Sequence, residues 1–184
     1  MKTSNRIIII TLAVLSLGFL SFVVLKRKKP KTILLLGGLD NRSGDKDLDE
    51  QIDLLQQGLG KEINVVGFRY NDLAGISQQI ENSKQPVGVV LFSAGGRQAK
   101  NIAQGLLRKG FSLNNMYVVE PYALSENTTS SVRGAVMMGM PEKNVLVGTS
   151  KGTGQGIVEQ PTNTPTCSPR HWCSLTMVGQ IISK

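Results

Sequence analysis

A single histidine, His171, two cysteines and no aspartate beyond Asp72 leave this 184-residue chain few ways to do chemistry. Cys167 and Cys173 are too few for a disulfide scaffold. With His171 they form Cys-x3-His-x-Cys, a spacing that matches no common zinc site, and no second histidine exists to complete one. No metal and no cofactor are therefore expected. The glycines between Gly148 and Gly156 lack the Gly-Lys-Ser/Thr order that sets a lysine on phosphate, and they lack Gly-x-Gly-x-x-Gly as well. They predict a flexible loop rather than a nucleotide site. There is no internal repeat, and the Thr- and Pro-rich stretch from Pro161 to Pro169 has no strong period.

Acidic residues are missing from the first 31 positions, which hold 7 of the 21 Lys and Arg and none of the 13 Asp and Glu. That segment accounts for the formal net charge of +8, because the remainder carries 14 basic against 13 acidic residues. A nearly neutral domain lacks the electrostatic footprint of a nucleic-acid binder, and no nucleic-acid partner is expected.

The basic segment surrounds a long hydrophobic run. Ile7 to Leu25 is 19 consecutive residues without a charge. As a helix it would span about 28 Å, close to the thickness of a bilayer's hydrocarbon core. The expected organisation is an N-terminal tail (1–6), a transmembrane helix (7–25), a basic juxtamembrane linker (26–31) and one folded domain (32–184). A cleaved signal peptide would end in small residues, whereas Val23-Val24-Leu25 runs straight into Lys26-Arg27-Lys28-Lys29. More basic residues follow the span than precede it, so the protein is expected to be single-pass with its C-terminal domain cytoplasmic and its cysteines reduced. On the opposite side of the membrane a Cys167–Cys173 disulfide would form, and the sequons at Asn41 and Asn127 would be usable.

From Thr32 onward short apolar runs alternate with amphipathic ones. Strands are predicted over 32–36, 63–68, 87–92, 116–119 and 145–147, with helices near 48–59, 73–82, 98–109 and 130–138 and a closing apolar stretch over 172–182. This alternation predicts an α/β fold, a single three-layer domain with a mostly parallel sheet. Ligands bind such sheets at the carboxyl ends of their strands.

One stretch on that edge organises the reading. Val87-Gly88-Val89-Val90-Leu91-Phe92 ends abruptly at Ser93, Ala94-Gly95-Gly96 follows, and a helical pattern begins at once. A serine at such a turn lies near unpaired backbone N–H groups and the positive end of a helix, which suits a nucleophile. The alternative is structural, since parallel sheets often place Ser and Gly between a strand and its helix as caps and turn residues.

Three segments together resemble the α/β-hydrolase superfamily of esterases, lipases and thioesterases. Thr32-Ile33-Leu34-Leu35-Leu36-Gly37-Gly38-Leu39-Asp40 is similar to the strand and Gly-rich turn that supply one oxyanion amide in that family. Ile63 to Asp72 is similar to the following strand and its loop, and Leu91-Phe92-Ser93-Ala94-Gly95-Gly96 to the nucleophile elbow Gly-x-Ser-x-Gly, with Leu91 standing where the family has a small residue. The resemblance covers roughly residues 32 to 110. It implies a serine hydrolase acting on a small carboxylic ester or thioester, and the apolar span with its basic collar adds the expectation of a membrane-anchored, lipase-like enzyme whose substrate is lipid-derived. Ser93 would be the nucleophile, His171 the general base, and the backbone amides of Leu39 and Ala94 the oxyanion hole. The family order is serine, acid, histidine, and without an aspartate after Asp72 the acid must be a glutamate. Glu120, at the end of a predicted strand, is the first candidate and Glu159 the second. The competing reading is a non-catalytic membrane-tethered domain of the same fold that binds a protein partner or small ligand at that edge.

Overall fold

The computed structural model describes residues 29–38, 47–120, 126–146 and 173–184. The span at 7–25, the linker residues 26–28, Leu39, Cys167, Glu159 and His171 lie outside the described residues. Among the described residues, no helix is long and apolar enough to cross a membrane.

Strands and helices alternate through the domain: β1 (Thr32–Leu36), α1 (Leu48–Leu59), β2 (Asn64–Phe68), α2 (Leu73–Asn82), β3 (Gly88–Phe92), α3 (Ala99–Arg108), β4 (Met116–Val119), α4 (Glu126–Met137), β5 (Val145–Leu146) and α5 (Cys173–Ser183). The five strands form one sheet in the order β2-β1-β3-β4-β5. Every pairing is parallel, with Ile33 opposite both Val65 and Gly88, Phe92 opposite Val119, and Val119 opposite Leu146.

Alternation along the strands builds the three layers. Leu34, Leu36, Val89, Leu91 and Val118 point to one face, where Ile76 and Ile80 of α2, Ile102 and Leu106 of α3 and Val132 of α4 cover them. Ile33, Leu35, Val90, Phe92 and Val119 point to the other, against Leu55 and Leu59 of α1 and Leu175, Val178 and Ile182 of α5. A sheet buried on both faces needs continuous apolar strands, and TILLL and GVVLF supply them.

The helices start where side chains satisfy their free amides. Asp47 accepts the Glu50 N–H at 2.9 Å and Asp72 the Gly75 N–H at 2.8 Å, which sets the first turns of α1 and α2. Several boundaries differ from expectation by a residue or so at an end, and two places differ by more. The helix expected from Ser130 begins at Glu126, and the residues expected to lead straight into α3 form a 3-10 turn, Ser93–Gln98.

On the second face α1 and α5 meet almost backbone to backbone. A methyl group on Gly58 would sit 2.0 Å from the Thr176 carbonyl oxygen, and one on Gly179 would sit 2.7 Å from the Leu55 carbonyl oxygen. The Thr176 hydroxyl donates to the Leu54 carbonyl across the same contact at 3.0 Å. Backbone cannot step aside as a side chain can, so Gly58→Ala should push the helices apart and destabilise the fold by about 3 kcal/mol. A shift of the chemical-denaturation midpoint measures this, and an unchanged midpoint would show that the helices separate freely.

Candidate functional site

The strand order reverses direction between β1 and β3, and the helices α1 and α3 that follow these neighbours cover opposite faces, so a ligand crevice is expected at their carboxyl ends. The residues lining its root are Gly37 and Gly38 after β1 and Ser93 to Gly96 after β3. Their glycines permit the approach. A methyl on Gly38 would lie 2.9 Å from the Ser93 Cβ, and one on Gly95 would lie 2.4 Å from the Leu36 carbonyl oxygen. The two turns are packed against each other with no room for a side chain between them.

Ser93 is 6% exposed and has φ 50°, in the left-handed region. An L-residue there costs roughly 1–2 kcal/mol, which glycine avoids. Ala94 follows in the first turn of the 3-10 segment, where the turn offers no preceding carbonyl to its N–H. Leu91 packs with the cluster under α2, α3 and α4, so its bulk lies in the core and not against the elbow.

Glu120 occupies the equivalent place one strand over. Phe92 and Val119 are paired in register, so Ser93 and Glu120 are the first residues to leave β3 and β4. Glu120 has φ 46°, and its N–H donates to the Leu146 carbonyl at 2.8 Å. Among the described residues, Ser93 and Glu120 are the two non-glycine positions with positive φ. Backbone strain of this kind persists only where the surroundings over-determine it, and it collects at functional sites.

The structure thus brings Ser93, Ala94 and Glu120 to one edge of the sheet, while Leu39, His171 and Glu159 lie outside the described residues. The helix that follows His171 is described. Lys29, just before β1, donates from Nζ to the Ser183 carbonyl at 2.8 Å, which fixes the end of α5 at the amino edge of the sheet. The start of α5, two residues after His171 in sequence, is consequently at the carboxyl edge.

Gln51 is a site residue that sequence reasoning missed. It is fully buried on α1, and its Oε1 accepts the Gly38 N–H at 2.9 Å. This bond fixes the Gly-rich turn and takes the Gly38 amide out of play as a donor to anything else. The available signal was its spacing, since Gln51 lies one turn before Leu55 on the buried stripe of α1. Among the described residues, Tyr117 on β4 is the titratable group whose surroundings shift it, and burial pushes its phenol above the usual value of 10.0. The phenol is therefore neutral at physiological pH.

Comparison with protein-family models, with curated proteins and with solved structures gives no match.

Proposed function

We propose that the chain is a membrane-anchored serine hydrolase that cleaves a small carboxylic ester or thioester. The observation that carries this reading is the coincidence of strain and chemistry. The two non-glycine residues held at positive φ among the described residues are Ser93 and Glu120, side by side at the carboxyl edge. A serine that only turned the chain would be replaced by glycine at lower cost, so the side chain itself is the reason for the strain.

In the proposed reaction neutral His171 removes the Ser93 proton as the hydroxyl oxygen attacks the carbonyl carbon. Glu120 holds the imidazole in the tautomer that can accept that proton. The Ala94 N–H, with that of Leu39, stabilises the oxyanion, and each such donor is worth about 3 kcal/mol in the transition state. The protonated imidazole then gives its proton to the leaving alcohol or thiol, and water hydrolyses the acyl-enzyme by the same route in reverse. The apolar span at 7–25 anchors the chain in the bilayer with its domain on the cytoplasmic side.

A fluorophosphonate probe tests this directly, because it phosphonylates an activated serine and leaves an ordinary one alone. Labelling of the full chain should map to Ser93 and vanish in Ser93→Ala. Absence of labelling in a folded sample would favour the non-catalytic ligand-binding reading.

A further inference from the structure

The charges of this domain are sorted between the two edges of its sheet. Because all five strands are parallel, their amino ends lie together at one edge and their carboxyl ends at the other. The segment leading into each strand carries an exposed lysine: Lys31 before β1, Lys61 before β2, Lys84 before β3, Lys109 before β4 and Lys143 before β5. Lys184 follows α5 at the same edge. The acids there are Glu62, Glu81 and Glu142, and Glu81 already faces Arg108, with 4.0 Å between Oε1 and Nη2. At the carboxyl edge the balance is different. Asp47, Asp49, Glu50, Asp72, Glu120 and Glu126 are set there against Arg69, Arg97 and Lys100.

We propose that the amino edge of the sheet docks on an anionic lipid bilayer, so that the Ser93 crevice opens on the far side and takes substrates from water. This rests on the anchored-hydrolase reading and gives it a substrate class, a water-soluble ester or thioester in place of a lipid held in the membrane. The chain geometry argues for the bilayer as occupant. The uncharged stretch ends at Leu25 and β1 starts at Thr32, a separation that a fully extended chain covers in about 25 Å. The amino edge is therefore the part of the domain that the anchor brings to the lipid headgroups. In sequence, Lys26 to Lys29 add four further basic residues between the uncharged stretch and β1. The five-residue strands then carry the carboxyl edge a further distance of about 17 Å, two Debye lengths at physiological salt. Nucleic acid is the weaker match, since the domain as a whole is nearly neutral.

The test uses the full chain reconstituted in vesicles of phosphatidylcholine alone or mixed with phosphatidylserine. Lysines are acylated with a membrane-impermeant active ester and their rates are read by mass spectrometry. Lys61, Lys84 and Lys143 should react about fivefold more slowly on the anionic vesicles, the protection should disappear at high salt, and Lys100 in the first turn of α3 should not change. Reversing charge together at Lys61→Glu, Lys84→Glu and Lys143→Glu, all exposed, should abolish the lipid-dependent protection of Lys109 and Lys184. Equal rates on both vesicles, or protection of Lys100 with the rest, would overturn the docking face. Protection by added RNA on neutral vesicles would assign the face to nucleic acid instead.

The contributing readings fail separately. A chain that does not float with neutral vesicles has no anchor, and the orientation falls with it. A chain that floats and shows the protection, yet leaves Ser93 unlabelled, keeps the docking face and loses the hydrolase. Turnover of an ester embedded in the bilayer, with none of a short soluble one, would overturn the substrate class alone.

Discussion

Ser93→Gly should abolish turnover and at the same time make the fold slightly more stable. The backbone at Ser93 has φ 50°, a conformation that costs an L-residue roughly 1–2 kcal/mol and glycine almost nothing. Glycine also gains freedom in the unfolded chain, which costs about 0.5–1 kcal/mol. The difference leaves a net stabilisation of up to about 1 kcal/mol, readable as a rise in the denaturation midpoint. Ser93 is 6% exposed and sits in a turn packed against Gly38, and the loss of its small side chain opens little space. Turnover should fall by about 10⁶-fold, the scale on which removing a hydrolase nucleophile acts. Ser93→Ala is the control, because alanine keeps the strained φ and loses only the hydroxyl. It should be as inactive as the glycine variant without the gain in stability. If Ser93→Gly is less stable than the parent, the serine is there for packing, and the strain has no functional meaning.

The opposition of stability and activity at one residue also marks where the sequence was legible. β1, α1, α2 and β4 lie where their patterns place them, at 32–36, 48–59, 73–82 and 116–119. These elements are decided locally, by apolar runs and by the caps Asp47 and Asp72. What depends on distant contacts was hidden. The Glu126–Ser130 turn of α4 is rich in Asn, Thr and Ser, which are poor helix formers, and Thr128 is nevertheless fully buried there, so tertiary packing overrides propensity. The strand order follows from how the layers close, which no single segment encodes. Gln51 reads as one polar residue in an amphipathic helix until its partner, the Gly38 amide, is known. At the site, Ser93 announced itself through the strand, turn and glycines around it. Its packing against Gly38 and its register with Glu120 are relations between strands.

Glu120→Gln should lower turnover by up to about 10⁴-fold while Glu159→Gln changes little. The argument is one of fixation. A carboxylate orients an imidazole only if it is itself held, and each freely rotating residue that must be fixed costs entropy at the moment of reaction. Glu120 is held twice over. Its φ of 46° is set by the surrounding chain, and its N–H is tied to Leu146 on the neighbouring strand at 2.8 Å. Glu159 lies in a stretch of sequence rich in Gly, Thr and Pro, with no periodic pattern to bind it to the sheet. Glutamine has the same shape as glutamate and suffers the same backbone strain, so Glu120→Gln should fold as the parent does, within about 0.5 kcal/mol. The amide nevertheless has a donor where the carboxylate has only acceptors, and it stabilises the imidazole tautomer that cannot take the Ser93 proton. Ser93 should still be present and correctly placed, so fluorophosphonate labelling should slow in proportion to turnover and not disappear. Parent-like turnover in Glu120→Gln would remove Glu120 from the reaction, and loss in Glu159→Gln instead would transfer the role.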